Sequence, residues 1–161
     1  MKKVVLAAGI AALLLTSHAV AKESTVTLST KSYKEVIKVD VSGGKKVVLE
    51  EAKKVVPGDT VVYKNYITNH TNKSVKDMVL NNAIPKHTEY VADSAKCEKG
   101  CDILFSVDGG KKFDSAERLM VKVGNKERLA LPKEYTNVRW ILTSALDANS
   151  ITDVSFKTRL E

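Results

Sequence analysis

The chain has 161 residues, with 26 lysines and arginines against 19 acids and a net charge of +7, but only five tyrosines, three phenylalanines and one tryptophan. That length suits one domain with one core, large enough to be stable without a dense set of disulfides. Beyond the first segment the basic residues fall singly, with Lys45-Lys46, Lys53-Lys54 and Lys111-Lys112 as the only doublets. A basic stripe interleaved with aromatics is therefore missing, and nucleic acid is not an expected partner.

The chain opens with an export signal. Lys2 and Lys3 precede an apolar run over 4–15, and Thr16, Ser17 and His18 lead into Ala19-Val20-Ala21, the small-x-small pattern a signal peptidase accepts. The run is too short to span a bilayer, which takes roughly 20 helical residues. No cysteine follows it, unlike a lipid-anchored leader. Cleavage is expected between Ala21 and Lys22, leaving 22–161 as a single domain with no membrane span. Cleavage removes two lysines and no acid, so the net charge falls from +7 to +5. The expected location is the periplasm or the medium.

After the leader, strand signals dominate. β-Branched or aromatic runs occur at 25–28, 36–41, 47–49, 61–68, 78–80, 89–91, 103–107, 119–123, 138–143 and 154–158. Gly, Pro, Asn and Asp separate them at spacings of about ten residues, the signature of a sandwich or barrel. Helical periodicity is weak. Residues 49–56 could make one or two helical turns before Pro57-Gly58 stops them. Pro57-Gly58-Asp59 suits a tight turn, and Gly43-Gly44 separates two strand runs. Asp108-Gly109-Gly110, between 103–107 and Phe113, reads as a hairpin.

The run Val56-Pro57-Gly58-Asp59-Thr60-Val61-Val62-Tyr63, then Thr68-Asn69, Ile84-Pro85, Tyr90-Val91 and Ser94-Ala95, resembles a bacterial conserved-repeat family. Phe105-Ser106-Val107-Asp108-Gly109-Gly110, Val138-Arg139-Trp140 and Val154-Ser155-Phe156 resemble its later strands, so the likeness covers 56–160. That family is the domain of unknown function numbered eleven, made of immunoglobulin-like sandwiches in surface and envelope proteins. The resemblance implies an all-β, immunoglobulin-like antiparallel β-sandwich and brings no catalytic residue. Two positions depart from the pattern. His70-Thr71-Asn72-Lys73 lacks the family's turn glycine, and Asn72 is expected to take the left-handed conformation there. Asn82 stands where an aspartate is common.

Cys97 and Cys101 are the only cysteines. In an oxidising compartment they should pair and staple the loop between Val91 and Ile103. Closing so short a loop stabilises by about 2 kcal/mol in the polymer model. Redox pairs carry two intervening residues rather than three, and a zinc site would need two more ligands, for which His70 and His87 are the candidates. His70, His87 and Met78 include types that bind copper, but their scatter speaks for loop or surface positions without metal. Ser106 to Phe113 resembles the aspartate box of sialidase-type propellers, a hairpin-stabilising motif, and the chain is too short for a propeller. Asn69-His70-Thr71 and Asn72-Lys73-Ser74 match the glycosylation sequon by chance.

Nucleophile-elbow, phosphate-loop and zinc-protease motifs are missing. The function expected is therefore non-enzymatic and without cofactor: an exported module that offers strands and loops to an envelope protein or polymer. The alternative is a small periplasmic carrier of a ligand or metal. Trp140 is expected in the core.

Overall fold

The computed structural model describes residues 26–161. The leader, the expected cleavage site at Ala21 and Lys22, and Thr25 at the head of the first strand run lie outside the described residues. Within them the chain is nearly all β. The strands are β1 (Val26–Val39), β2 (Lys45–Glu51), β3 (Thr60–Asn69), β4 (Val79–Ala83), β5 (Thr88–Tyr90), β6 (Lys96–Cys97), β7 (Cys101–Ser106), β8 (Met120–Val123), β9 (Lys126–Leu129), β10 (Asn137–Leu142) and β11 (Ile151–Leu160). The only helical turn among the described residues is a 3-10 turn at Pro132–Glu134.

Every strand pair is antiparallel. The large sheet runs β2-β1-β3-β11-β5, with β6 also paired to β11, and the second runs β4-β10-β7. A separate hairpin joins β8 to β9. Alternation decides which side is buried. Thr152, Val154, Phe156 and Thr158 of β11 are fully buried, as are Val138 and Trp140 of β10. The Trp140 and Phe156 rings stand 5.9 Å apart, so side chains of the two sheets meet in one core. Ile67, Leu142 and Leu146 form a smaller cluster, against which Met78 packs.

Some expectations need correction. The runs at 25–28 and 36–41 are not separate strands: β1 is continuous through the polar stretch between them. Its register with β3 from Val26↔Asn69 to Lys34↔Val61 holds that stretch, which carries too few apolar residues to stand out in the sequence. Residues 49–56 make no helical turn. Glu50 and Glu51 extend β2 opposite Lys34 and Tyr33, and a ladder of that length outweighs an isolated turn. The short polar strands β6 and β9 carry no apolar signal.

The turns divide in the same way. Around Pro57-Gly58 the Asp59 amide donates to the Val56 carbonyl at 3.0 Å, with Gly58 at φ +91°. The Gly43-Gly44 hairpin closes on the Asp40 carboxylate, which accepts from the Ser42 and Gly44 amides and lies below its usual range because of those bonds and the Ser42 hydroxyl. After Asp108-Gly109-Gly110 the chain returns only as one bridge, Phe105↔Asp114, not as a strand. There the Asp108 carboxylate accepts from the amides of Lys111 and Lys112, each at 3.0 Å, and from the Ser106 hydroxyl. Asn72 does not take the left-handed conformation; Asp77, His87, Asp93 and Asn149 do, among the described residues other than glycine. The buried Asn69 side chain organises that turn instead. Its carbonyl accepts from the Thr71 amide and hydroxyl, and its amide donates to the carbonyls of Lys73, Leu146 and Asp147.

Candidate functional site

Beyond Lys34, β1 pairs only with β2, so the end of this hairpin reaches past the start of β3. Residues directly opposite in a ladder share a face. Ile37 faces Val47 and Glu35 faces Leu49, with Val39 two residues further along. The four apolar side chains on that face are 66% (Ile37), 64% (Val39), 56% (Val47) and 45% (Leu49) exposed. Isolated apolar residues on a surface are ordinary, whereas a contiguous group marks a contact surface.

The same face continues across the large sheet, on the side away from Trp140. Val62, Lys64 and Tyr66 of β3 lie there, with Asp153, Ser155 and Lys157 of β11. Val62 and Ser155 point away from the core and yet are buried, because the hairpin and the segment 94–98 cover them. Between these two covers runs a groove of about 510 Å³. Val47, Leu49 and Val62 give it apolar surface, and Lys64, Lys96 and Lys157 give it charge. Lys157 pairs with Glu35, which ties the hairpin to β11, and Lys64 pairs with Asp153, which ties β3 to β11.

The segment 91–98 is held along β11 by side chain as well as backbone. The Ser94 hydroxyl accepts from the Lys157 amide at 3.0 Å, the Val91 amide donates to the Lys157 carbonyl, and the Glu98 amide donates to the Asp153 carbonyl. Cys97 of β6 is bonded to Cys101 of β7, with Cα atoms 6.0 Å apart. The disulfide thus lies inside the loop expected from the sequence. It also joins the large sheet to the second one, which the spacing alone does not reveal.

Next to the groove, Tyr66 lies between Lys31 and Lys64, each ammonium 5.9 Å from its ring centre. A hydrogen bond to Tyr33, together with burial and the nearby Asp153 carboxylate, pushes the Tyr66 phenol up to about 12.

The other side of the segment 91–98 borders a second cavity, of about 440 Å³. Tyr90, Phe105 and Tyr135 wall it, with ring centres 4.5–5.6 Å apart, and Asp93 and Glu117 are its charged lining. Neighbouring residues divide between the two sites: Asp93 and Ala95 line the cavity, Ser94 and Lys96 the groove. Burial pushes the Tyr90 phenol up even though its oxygen accepts from the Ala95 amide at 3.0 Å. Burial also raises Tyr135, helped by the fields of Tyr90, Glu117 and Asp93.

His70, His87 and Met78 do not come together. The His70 ring nitrogen bonds the Thr27 hydroxyl at 2.8 Å, His87 sits at φ +61° in an exposed turn, and Met78 belongs to the smaller core cluster. Among the described residues, no group of three or more His, Cys, Asp or Glu is placed to hold a metal ion. No described helix is long and apolar enough to cross a membrane. The lysines of the groove, and Tyr90, Tyr135, Asp93 and Glu117 of the cavity, carry no local sign of these sites, since they gather from segments far apart in the chain. One signal was available: Ile37 and Val39, and Val47 and Leu49, recur at every second residue on either side of the Gly43-Gly44 turn. No protein-family model, no curated protein and no solved structure matches the chain.

Proposed function

We propose that this protein is an exported, non-enzymatic interaction module, an immunoglobulin-like sandwich that engages a protein of the cell envelope through the β1–β2 hairpin and the groove beside it. The observation that carries this reading is the exposed apolar face of Ile37, Val39, Val47 and Leu49 running into a groove of mixed charge. An apolar centre with a polar, charged rim is how protein interfaces are built, whereas an acidic polymer would call for unpaired cations throughout. Lys64 and Lys157 are already paired with acids. Two antiparallel sheets with a shared core support the sandwich, and the residues quoted above support its likeness to the conserved-repeat family. The leader pattern at 1–21 and the paired cysteines support a periplasmic or secreted location.

The test is site-specific photo-crosslinking in intact cells. A photoreactive residue at position 37 or 47 should give one discrete adduct, and one at Lys133, exposed and outside the groove, should not. The adduct should contain protein that lacks residues 1–21. Equal adducts at all three positions, or none at 37 and 47, would remove the hairpin as the contact surface.

A further inference from the structure

We propose that the cavity walled by Tyr90, Phe105 and Tyr135 and bordered by Asp93 and Glu117 is a binding site for a small organic cation, an ammonium group on a compact alkyl body. This site is separate from the hairpin face and does not depend on it. Its charged lining is wholly acidic in a chain of net charge +7, whereas the groove at the hairpin carries both signs. Neither carboxylate is in an ion pair with a described residue: Arg118, next to Glu117, is held by Asp114 at 2.9 Å and reaches Glu117 only through its field, and Glu117 otherwise accepts from its own amide and the Ser115 hydroxyl. Aromatic rings attract a cation through their negative faces, and carboxylates add a directional charge that a neutral guest cannot use. The volume suits a compact molecule.

A second observation points into the same space. Tyr135 is only 7% exposed, and no described residue hydrogen-bonds its hydroxyl. Burial is the main cause that disfavours its ionisation, and the charged or polar groups that add to it, Tyr90, Glu117 and Asp93, line the same cavity as Tyr135. Asp93 sits at φ +57°, a conformation that aspartate adopts more readily than most residues and one that sets the direction of its carboxylate. Ala92, Ala95 and Ala116 leave the space between rings and acids open.

The test is a titration of the protein comprising residues 22–161, followed by amide nitrogen–proton spectra, with tetramethylammonium chloride and n-butylammonium chloride. Neutral tert-butanol and sodium chloride at matched ionic strength are the controls. Saturable shifts are expected at residues 90–95, 116–117 and 132–135 with both ammonium salts, and flat responses there with the controls. Asp93→Asn and Glu117→Gln should each weaken binding about two- to fivefold, the range of an exposed charge pair. Both positions are exposed, so both variants should keep the native spectrum elsewhere, while Tyr135→Phe keeps the ring and reports on the hydroxyl alone. The proposal fails if the ammonium salts shift these residues no more than sodium chloride does. It fails equally if tert-butanol saturates the same residues, or if both carboxylate variants bind as the parent does.

Discussion

The indole of Trp140 on β10 lies 5.9 Å from the ring of Phe156 on β11, and the two residues belong to different sheets. Phe156 in turn stacks on Tyr63 at 5.1 Å, so one line of rings runs from the second sheet into the large one. Trp140 is fully buried, and truncating it would leave a cavity where the sheets meet. Trp140→Ala should therefore cost about 3–5 kcal/mol, enough to lower a urea midpoint clearly. Trp140→Phe, which keeps a ring against Phe156, should cost much less. An unchanged midpoint for Trp140→Ala would mean that the sheets do not depend on this contact.

How far the sequence reveals this arrangement depends on the kind of residue. Trp140 and Phe156 sit in apolar alternating runs, and both are readable as core. β1 is only half readable, because Ser29, Thr30, Lys31 and Ser32 follow no apolar pattern and owe their extended form to β3. Asn69 shows the opposite difficulty. Its type suggests a loop, yet it is buried, because its carbonyl holds its own turn at Thr71 while its amide reaches the carbonyls of Leu146 and Asp147, 77 and 78 residues further along. Asn82 gains a reason as well: its amide donates to the Asn65 carbonyl at 3.4 Å, which an aspartate could not do. The groove and the aromatic cavity depend on pairings among β1, β3, β5, β7 and β11, and no local pattern encodes those.

Tyr66 offers a direct reading of the outer face. Its hydrogen bond to Tyr33 is the largest cause of a phenol pushed from 10.0 to about 12. A raised value in the folded state favours the neutral phenol, so this contribution is full below pH 10 and is lost as the pH rises through about 12. In a spectrophotometric titration Tyr66 should ionise late, with Tyr90 and Tyr135, which burial also raises, and Tyr33→Phe should return Tyr66 alone toward 10.0. If Tyr33→Phe leaves the late-ionising group unchanged, burial and Asp153 hold Tyr66 rather than its neighbour.

Acid should act on the pair of Arg128 and Glu134. The Arg128 guanidinium makes two bonds of 2.7 Å to the Glu134 carboxylate, which also accepts from the Leu131 amide. These bonds lower Glu134 from 4.5 to about 2. Because the folded value is the lower one, the ionised carboxylate favours the fold. Its contribution is present above pH 4.5 and is lost as the pH falls through about 2. Arg128→Gln should lower the melting temperature slightly at neutral pH and flatten its fall over that acid range. The same slope in both proteins would show that the pair adds nothing to the fold, the common result for exposed ion pairs.

Cys97 and Cys101 carry a prediction that separates stabilisation from folding. Their bond links β6 of the large sheet to β7 of the second, yet it closes a loop with a separation of only four residues. In the chain-entropy model so short a loop contributes about 2 kcal/mol, because the unfolded chain already keeps the two residues close. The sheets are also joined through the core, where Trp140 and Phe156 meet directly and Cys97 and Cys101 pack against the same cluster. The double substitution Cys97→Ser with Cys101→Ser should therefore fold to the same circular dichroism spectrum with a lower melting temperature. Intact mass under non-reducing conditions should show the parent two hydrogens lighter than its reduced form and monomeric. Two free thiols in the exported protein would refute the pairing. Loss of all β structure in the double variant would show instead that the sheets need this clip to assemble, and that the contacts of Trp140 cannot bring them together unaided.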